Sequence, residues 1–92
     1  MVIWTPQARA DLKAIYDYIA KDSTLNAKSV VKDIKIKVDA LDNLPNIGKF
    51  IPEFQFDDLR EIHIHSGRVF YQYRQPACYI IAVVHKRRSL LE

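Results

Sequence analysis

Apolar residues return every three to four positions through the first half of the chain and nearly every second position through the last third, so helices are expected first and strands afterwards. Val2-Ile3-Trp4 is a short β-prone run closed by Thr5-Pro6, a threonine able to cap a helix and a proline suited to its first position. Ala8, Leu12, Ile15 and Ile19 then form one stripe, with Arg9, Asp11, Lys13 and Asp17 mostly off it and Tyr16 and Tyr18 at its edges. Asp22-Ser23-Thr24 is a turn and cap signal, after which Ala27, Val30, Val31, Ile34, Val38, Leu41 and Leu44 resume the helical period. The pattern predicts a second helix from about Leu25 to Leu44, stopped by Pro45 and folded back on the first as an antiparallel hairpin. From Asn46 to Asp58, Gly48 and Pro52 punctuate a segment holding Phe50, Ile51, Phe54 and Phe56, which reads as an ordered, aromatic-anchored connection. Leu59 to His65 alternates, Ser66-Gly67 turns, Arg68 to Arg74 alternates again, and Gln75-Pro76-Ala77 leads into Cys78 to Val84, apolar on both faces and therefore a central strand. The expected order is β-α-α-β-β-β: an α+β fold with a helical hairpin packed on one face of an antiparallel sheet.

At 92 residues the chain is expected to be a single domain spanning 1–92, without internal repeats or low-complexity tracts. No apolar run approaches the roughly 18 residues a membrane span needs, and the N-terminus lacks the form of a signal peptide, so a cytoplasmic location is expected and no membrane partner. The single cysteine, Cys78, opens an apolar run and reads as a buried structural thiol. Net charge is a modest +3, but its distribution is uneven: His85-Lys86-Arg87-Arg88 concentrates cations, whereas the helices interleave lysine with aspartate.

Common catalytic motifs are missing. His63, His65 and His85 lack zinc-site spacing; His63 and His65 share a strand face but read as solvent-facing, so no metal and no cofactor is expected. The chain has two glycines in all, neither in a phosphate-binding loop, and no Gly-x-Ser-x-Gly elbow. What remains is a set of guanidinium groups: Arg60 set beside a face lined by Arg68, Phe70, Gln72 and Arg74 would gather several phosphate- or carboxylate-binding forks, with His85 to Arg88 leaving the last strand nearby. The competing expectation is that Arg60 and Arg68 are structural partners of Glu61, Asp57 or Asp58.

Trp4-Thr5-Pro6-Gln7-Ala8-x-x-Asp11-Leu12-x-x-Ile15-Tyr16-x-Tyr18-Ile19 resembles the first helix of the RelE/ParE toxin family, nearer its ParE branch. Leu44-Pro45-Asn46-Ile47-Gly48-Lys49 is similar to the punctuation after that family's second helix. Leu59-Arg60-Glu61, Arg68-Val69-Phe70-Tyr71-x-Tyr73-Arg74 and Val83-Val84-His85-x-Arg87-Arg88 look like its three closing strands. The resemblance implies the toxin of a type II toxin–antitoxin system, held in a hetero-oligomeric complex by a cognate antitoxin. It implies inhibition of DNA gyrase and replication, with Arg60, Arg68, Arg74, His85, Lys86, Arg87 and Arg88 contacting the target. The alternative it carries is a RelE-like, ribosome-dependent mRNA endoribonuclease using Arg60, Arg68, His85 and Arg87. Against that, no tyrosine follows the last strand, and the region of the family's basic loop holds only Lys49. A homologue that binds antitoxin without a toxic target is the third class.

Overall fold

The computed structural model describes residues 1–51, 58–64 and 67–85. Strand β1 (Val2–Trp4) runs into helix α1 (Pro6–Ala20), where Pro6 takes the first helical position and the Thr5 hydroxyl accepts the Ala8 N–H at 3.2 Å. Helix α2 (Thr24–Asp39) opens in the same way, with Ser23 Oγ accepting the Asn26 N–H at 3.0 Å. It ends earlier than the apolar period suggests. The Ala40 N–H reaches both Ile36 O and Val38 O, and Ala40–Asp42 continues as a 3-10 turn, so Leu41 and Leu44 keep the helical spacing without belonging to the helix. Leu41 is buried by that turn, whereas Leu44 is left exposed.

The remaining strands are β2 (Lys49–Phe50), β3 (Leu59–Ile64), β4 (Gly67–Arg74) and β5 (Ala77–His85), in the spatial order β1-β5-β4-β3-β2. All pairs are antiparallel except β1 with β5, which is parallel. Strand β2 was not expected from the sequence, because two residues, both exposed, are too few to show an alternating pattern. The expected inner position of the last strand is found: β5 lies between β1 and β4.

One face of the sheet carries the helical hairpin. Ile62, Ile64, Val69, Tyr71, Cys78, Ile80 and Val83 share a core with Ala8, Ile15, Ile19, Ala27, Ile34 and Val38 from the helices. A bulge sets this arrangement on β5: Phe70 lies opposite Ala82 but Tyr71 opposite Ile80, so Ile81 is the extra residue and both Ile80 and Val83 face the helices. That shift of parity is why the strand reads as apolar on both faces. Cys78 is buried, its thiol directed at Leu41 O at 3.8 Å, and burial pushes its pKa up, away from nucleophile chemistry. Among the described residues no helix is long and apolar enough to cross a membrane.

Candidate target-contact face

Residues directly opposite one another in a sheet share a face, so the register decides which cations meet. Glu61 lies opposite Phe70 and His63 opposite Arg68, and all four project from the face away from the helices. Glu61 is 8% exposed, the buried charged residue of this face. Its Oε1 lies 2.7 Å from His63 Nε2, and its Oε2 accepts a hydrogen bond from the Arg68 guanidinium. A carboxylate is an acceptor only, so Nε2 carries the hydrogen of that pair. Burial pushes the Glu61 carboxyl up, but the hydrogen bonds and charges of His63 and Arg68 outweigh it and hold the carboxyl below its usual range. Arg68 also lies 4.9 Å over the Phe70 ring. Its Nε is buried and has no hydrogen-bond partner among the described residues.

At the other end of β4, Asp58 Oδ2 accepts from Gln72 Nε2 and Arg74 Nε, each at 3.0 Å. The Arg74 hydrogen bond is the main cause holding the Asp58 carboxyl below its usual range. Arg74 is exposed and stands on the same face as Arg68, six residues along the strand.

Arg60 is not part of this face. It lies opposite Tyr71, whose ring belongs to the core, and opposite Phe50 of β2, so it projects on the helix side. The expectation that it would join Arg68, Phe70, Gln72 and Arg74 is corrected by this register. Its partners among the described residues are carbonyls rather than the carboxylates expected from the sequence: NH1 donates to Gly48 O at 2.8 Å and to Asn46 O at 3.3 Å, with the guanidinium 4.2 Å over the Phe50 ring. The same loop is held from beneath by Tyr71, fully buried, whose hydroxyl accepts the Gly48 N–H at 2.9 Å and donates to Pro45 O at 2.8 Å. Burial raises the Tyr71 pKa, which keeps that proton in place. A Cβ on Gly48 would stand 2.5 Å from the Tyr71 hydroxyl and 2.8 Å from Glu61 O, so only glycine lets the loop close this tightly. The Leu-Pro-x-x-Gly punctuation is thus a clasp over the edge of the sheet.

His85, the last residue of β5, also turns to the helix side, its ring centroid 6.0 Å from that of Tyr18 on α1. Lys86, Arg87 and Arg88 lie outside the described residues, as do His65, Asp57 and the aromatic residues Phe54 and Phe56. Of the four described cationic candidates, two share the open face and two project from the other. No cluster of three or more potential metal ligands occurs among the described residues.

Two further features belong to the helical hairpin. A groove of about 570 Å³ lies along the helical hairpin, lined by Trp4, Leu12, Tyr16 and Val31 and edged by Arg9, Lys13, Asp17 and Lys35. Lys13 is ion-paired with Asp17 at 2.9 Å, which raises its pKa, whereas no hydrogen bond or ion pair engages the side chains of Arg9 or Lys35 among the described residues. Leu12, on the apolar stripe, and Tyr16, at its edge, are only half-buried and leave this groove open. The second is Asp11. Strand β1 covers only Cys78–Ile80 of β5, and beyond it Asp11 Oδ2 accepts the Val83 N–H at 3.0 Å while Thr5 Oγ1 donates to Ile80 O at 2.6 Å. The helix therefore caps the backbone that the short strand leaves uncovered.

The family described as ParE toxin of the type II toxin–antitoxin system parDE matches residues 2–90. A solved structure of a chromosomal ParDE toxin–antitoxin system from P. aeruginosa is similar over 91% of this chain and 92% of that one, with 25% identity and a TM-score of 0.76. No curated protein matches the sequence.

Proposed function

The chain belongs to the ParE toxin family of type II toxin–antitoxin systems, and on that premise we propose that it inhibits DNA gyrase, blocks replication and is neutralised by a cognate antitoxin. The observation carrying the choice of gyrase over mRNA cleavage is the division of the nuclease candidates. Cleavage needs a base or acid and cations around one phosphorus atom. Arg60 and His85 project on the helix side and Arg68 on the opposite face, so these three do not surround a common phosphate. Arg60 is further occupied in holding the loop at residues 46–48. A poison that works by contact needs only an exposed surface, which the face bearing Arg68 and Arg74, together with the basic run Lys86 to Arg88, supplies in chemical terms.

The antitoxin is the partner suited to the hairpin groove: an apolar floor edged by the unengaged cations Arg9 and Lys35 favours an amphipathic segment with acidic flanks that orders on binding. The toxin and its antitoxin would then form a hetero-oligomer in the cytoplasm, with no cofactor or metal.

Purified chain added to DNA gyrase and relaxed plasmid tests the assignment directly. Loss of supercoiling with accumulation of cleaved DNA is expected, along with filamentous growth and an SOS response on expression. Normal supercoiling combined with mRNA cut in the ribosomal A site would overturn it in favour of the endoribonuclease. Normal growth with abundant soluble chain would leave an antitoxin-binding homologue.

A further inference from the structure

Two donors on the open face, His63 and Arg68, are tied to one buried carboxylate. Glu61 has a side chain only 9% exposed, and each of its oxygens is used by a different outward-facing group, His63 on one side and Arg68 on the other. Arg68 is fixed a second time by the Phe70 ring beneath it. This double hold goes beyond what an exposed ion pair provides, because one partner is buried and the other is stacked. It also leaves donor capacity over: the pair with Glu61 engages NH2, one of the two terminal nitrogens of the guanidinium fork, while the Nε is buried and out of a target's reach. A long side chain held in one orientation with donors to spare has already lost the freedom that binding would otherwise have to remove.

We infer that Glu61 is a positioning residue, holding the Arg68 guanidinium in the orientation that meets a carboxylate or phosphate oxygen of the toxin's target. Glu61 does not touch the target; it acts through Arg68. The inference rests on the proposal that the open face is the target-contact face, and it concerns orientation rather than charge. A guanidinium free to rotate carries the same charge but meets an oxygen pair less often in the right geometry.

The test compares growth inhibition over an inducer titration for the wild type, Glu61→Gln, Arg68→Lys, Arg68→Ala and the Glu61→Gln/Arg68→Ala double variant, with soluble yield and urea midpoint measured for each chain. Glu61→Gln and Arg68→Lys are each expected to weaken inhibition about fivefold, the order of magnitude set by freeing one long side chain. Arg68→Ala is expected to weaken it at least as much, and the double variant no further, since Glu61 has nothing left to position. Arg68→Lys as potent as the wild type would overturn the inference, because charge alone would then suffice. A Glu61→Gln loss that adds in full to Arg68→Ala would overturn it too, and so would an inert Arg68→Ala. If Glu61→Gln does not fold, the charge-conserving Arg68→Lys change decides alone. Gyrase supercoiling by the same chains separates the two layers: the expected growth pattern without gyrase inhibition removes gyrase as the target and leaves the positioning role standing.

Discussion

Replacing Tyr71 by phenylalanine removes one oxygen atom from the clasp over the edge of the sheet and keeps the ring that fills the core. That oxygen accepts from Gly48 N at 2.9 Å and donates to Pro45 O at 2.8 Å, on a side chain with no exposed surface. Gly48 is buried as well, so its N–H would lose its partner without gaining solvent, which costs about 1–3 kcal/mol. The Pro45 carbonyl is half-buried and recovers part of its loss from water, so the total should stay near ~2–3 kcal/mol. At about 0.05–0.15 kcal/mol per residue, a chain of this size has on the order of 5–14 kcal/mol in all, so the single oxygen represents a sizeable share. At about 4–8 °C per kcal/mol, the melting temperature should fall by roughly 10–20 °C. Urea titration followed by far-ultraviolet circular dichroism measures it: the midpoint should drop with little change in slope, as expected when stability changes but buried area does not. An unchanged midpoint would refute the reasoning, for it would mean that the loop closes without the hydroxyl.

Asp11→Ala strips the acceptor from the Val83 N–H, and because the site is part-buried we expect a loss of about 1–2 kcal/mol in the same urea assay, with self-association rising by light scattering as the edge of β5 is uncovered. An equally stable, monodisperse variant would show that Asp11 does not guard this edge. Acid should destabilise the fold: Glu61 and Asp58 both have folded pKa values below their unfolded ones, so their contributions are complete above the unfolded carboxylate range and are lost as pH falls through the folded values. Urea midpoints between neutral and about pH 3 read this loss, and Glu61→Gln should flatten its share of the slope. Arg87 and Arg88 replaced together by alanine should weaken growth inhibition while antitoxin co-purification persists; undiminished toxicity would remove the C-terminal run from the contact surface.

The fold was legible where a residue type has one local consequence. Thr5-Pro6 and Ser23 start helices because a hydroxyl placed before an apolar stripe takes up the first free amides, and both caps are found at those residues. The second helix was read too long because apolar spacing continues through Leu41 and Leu44, while the backbone tightens into a 3-10 turn without changing that spacing. The candidate site was less legible, because strand alternation gives the parity within a strand but not the register between strands. Only the pairing of Arg60 with Tyr71 shows that Arg60 projects opposite to Arg68. The bulge at Ile81 could not be read from β5 itself, whose residues are apolar on either side of it. Of the two arginines that the sequence offers Glu61 as partners, Arg60 lies on the opposite face, and Glu61 pairs with Arg68, together with His63.

The clasp at Gly48 changes how losses of toxicity should be interpreted. Arg60 stands next to Glu61, the residue proposed to position the target-contacting Arg68, and a screen for inactive variants would return it readily. Such a variant would arrive with its loop sprung from the sheet rather than with one contact erased. Whatever binds the toxin would then meet an altered outline, and a harmless mutant need not mark the poison's point of attack.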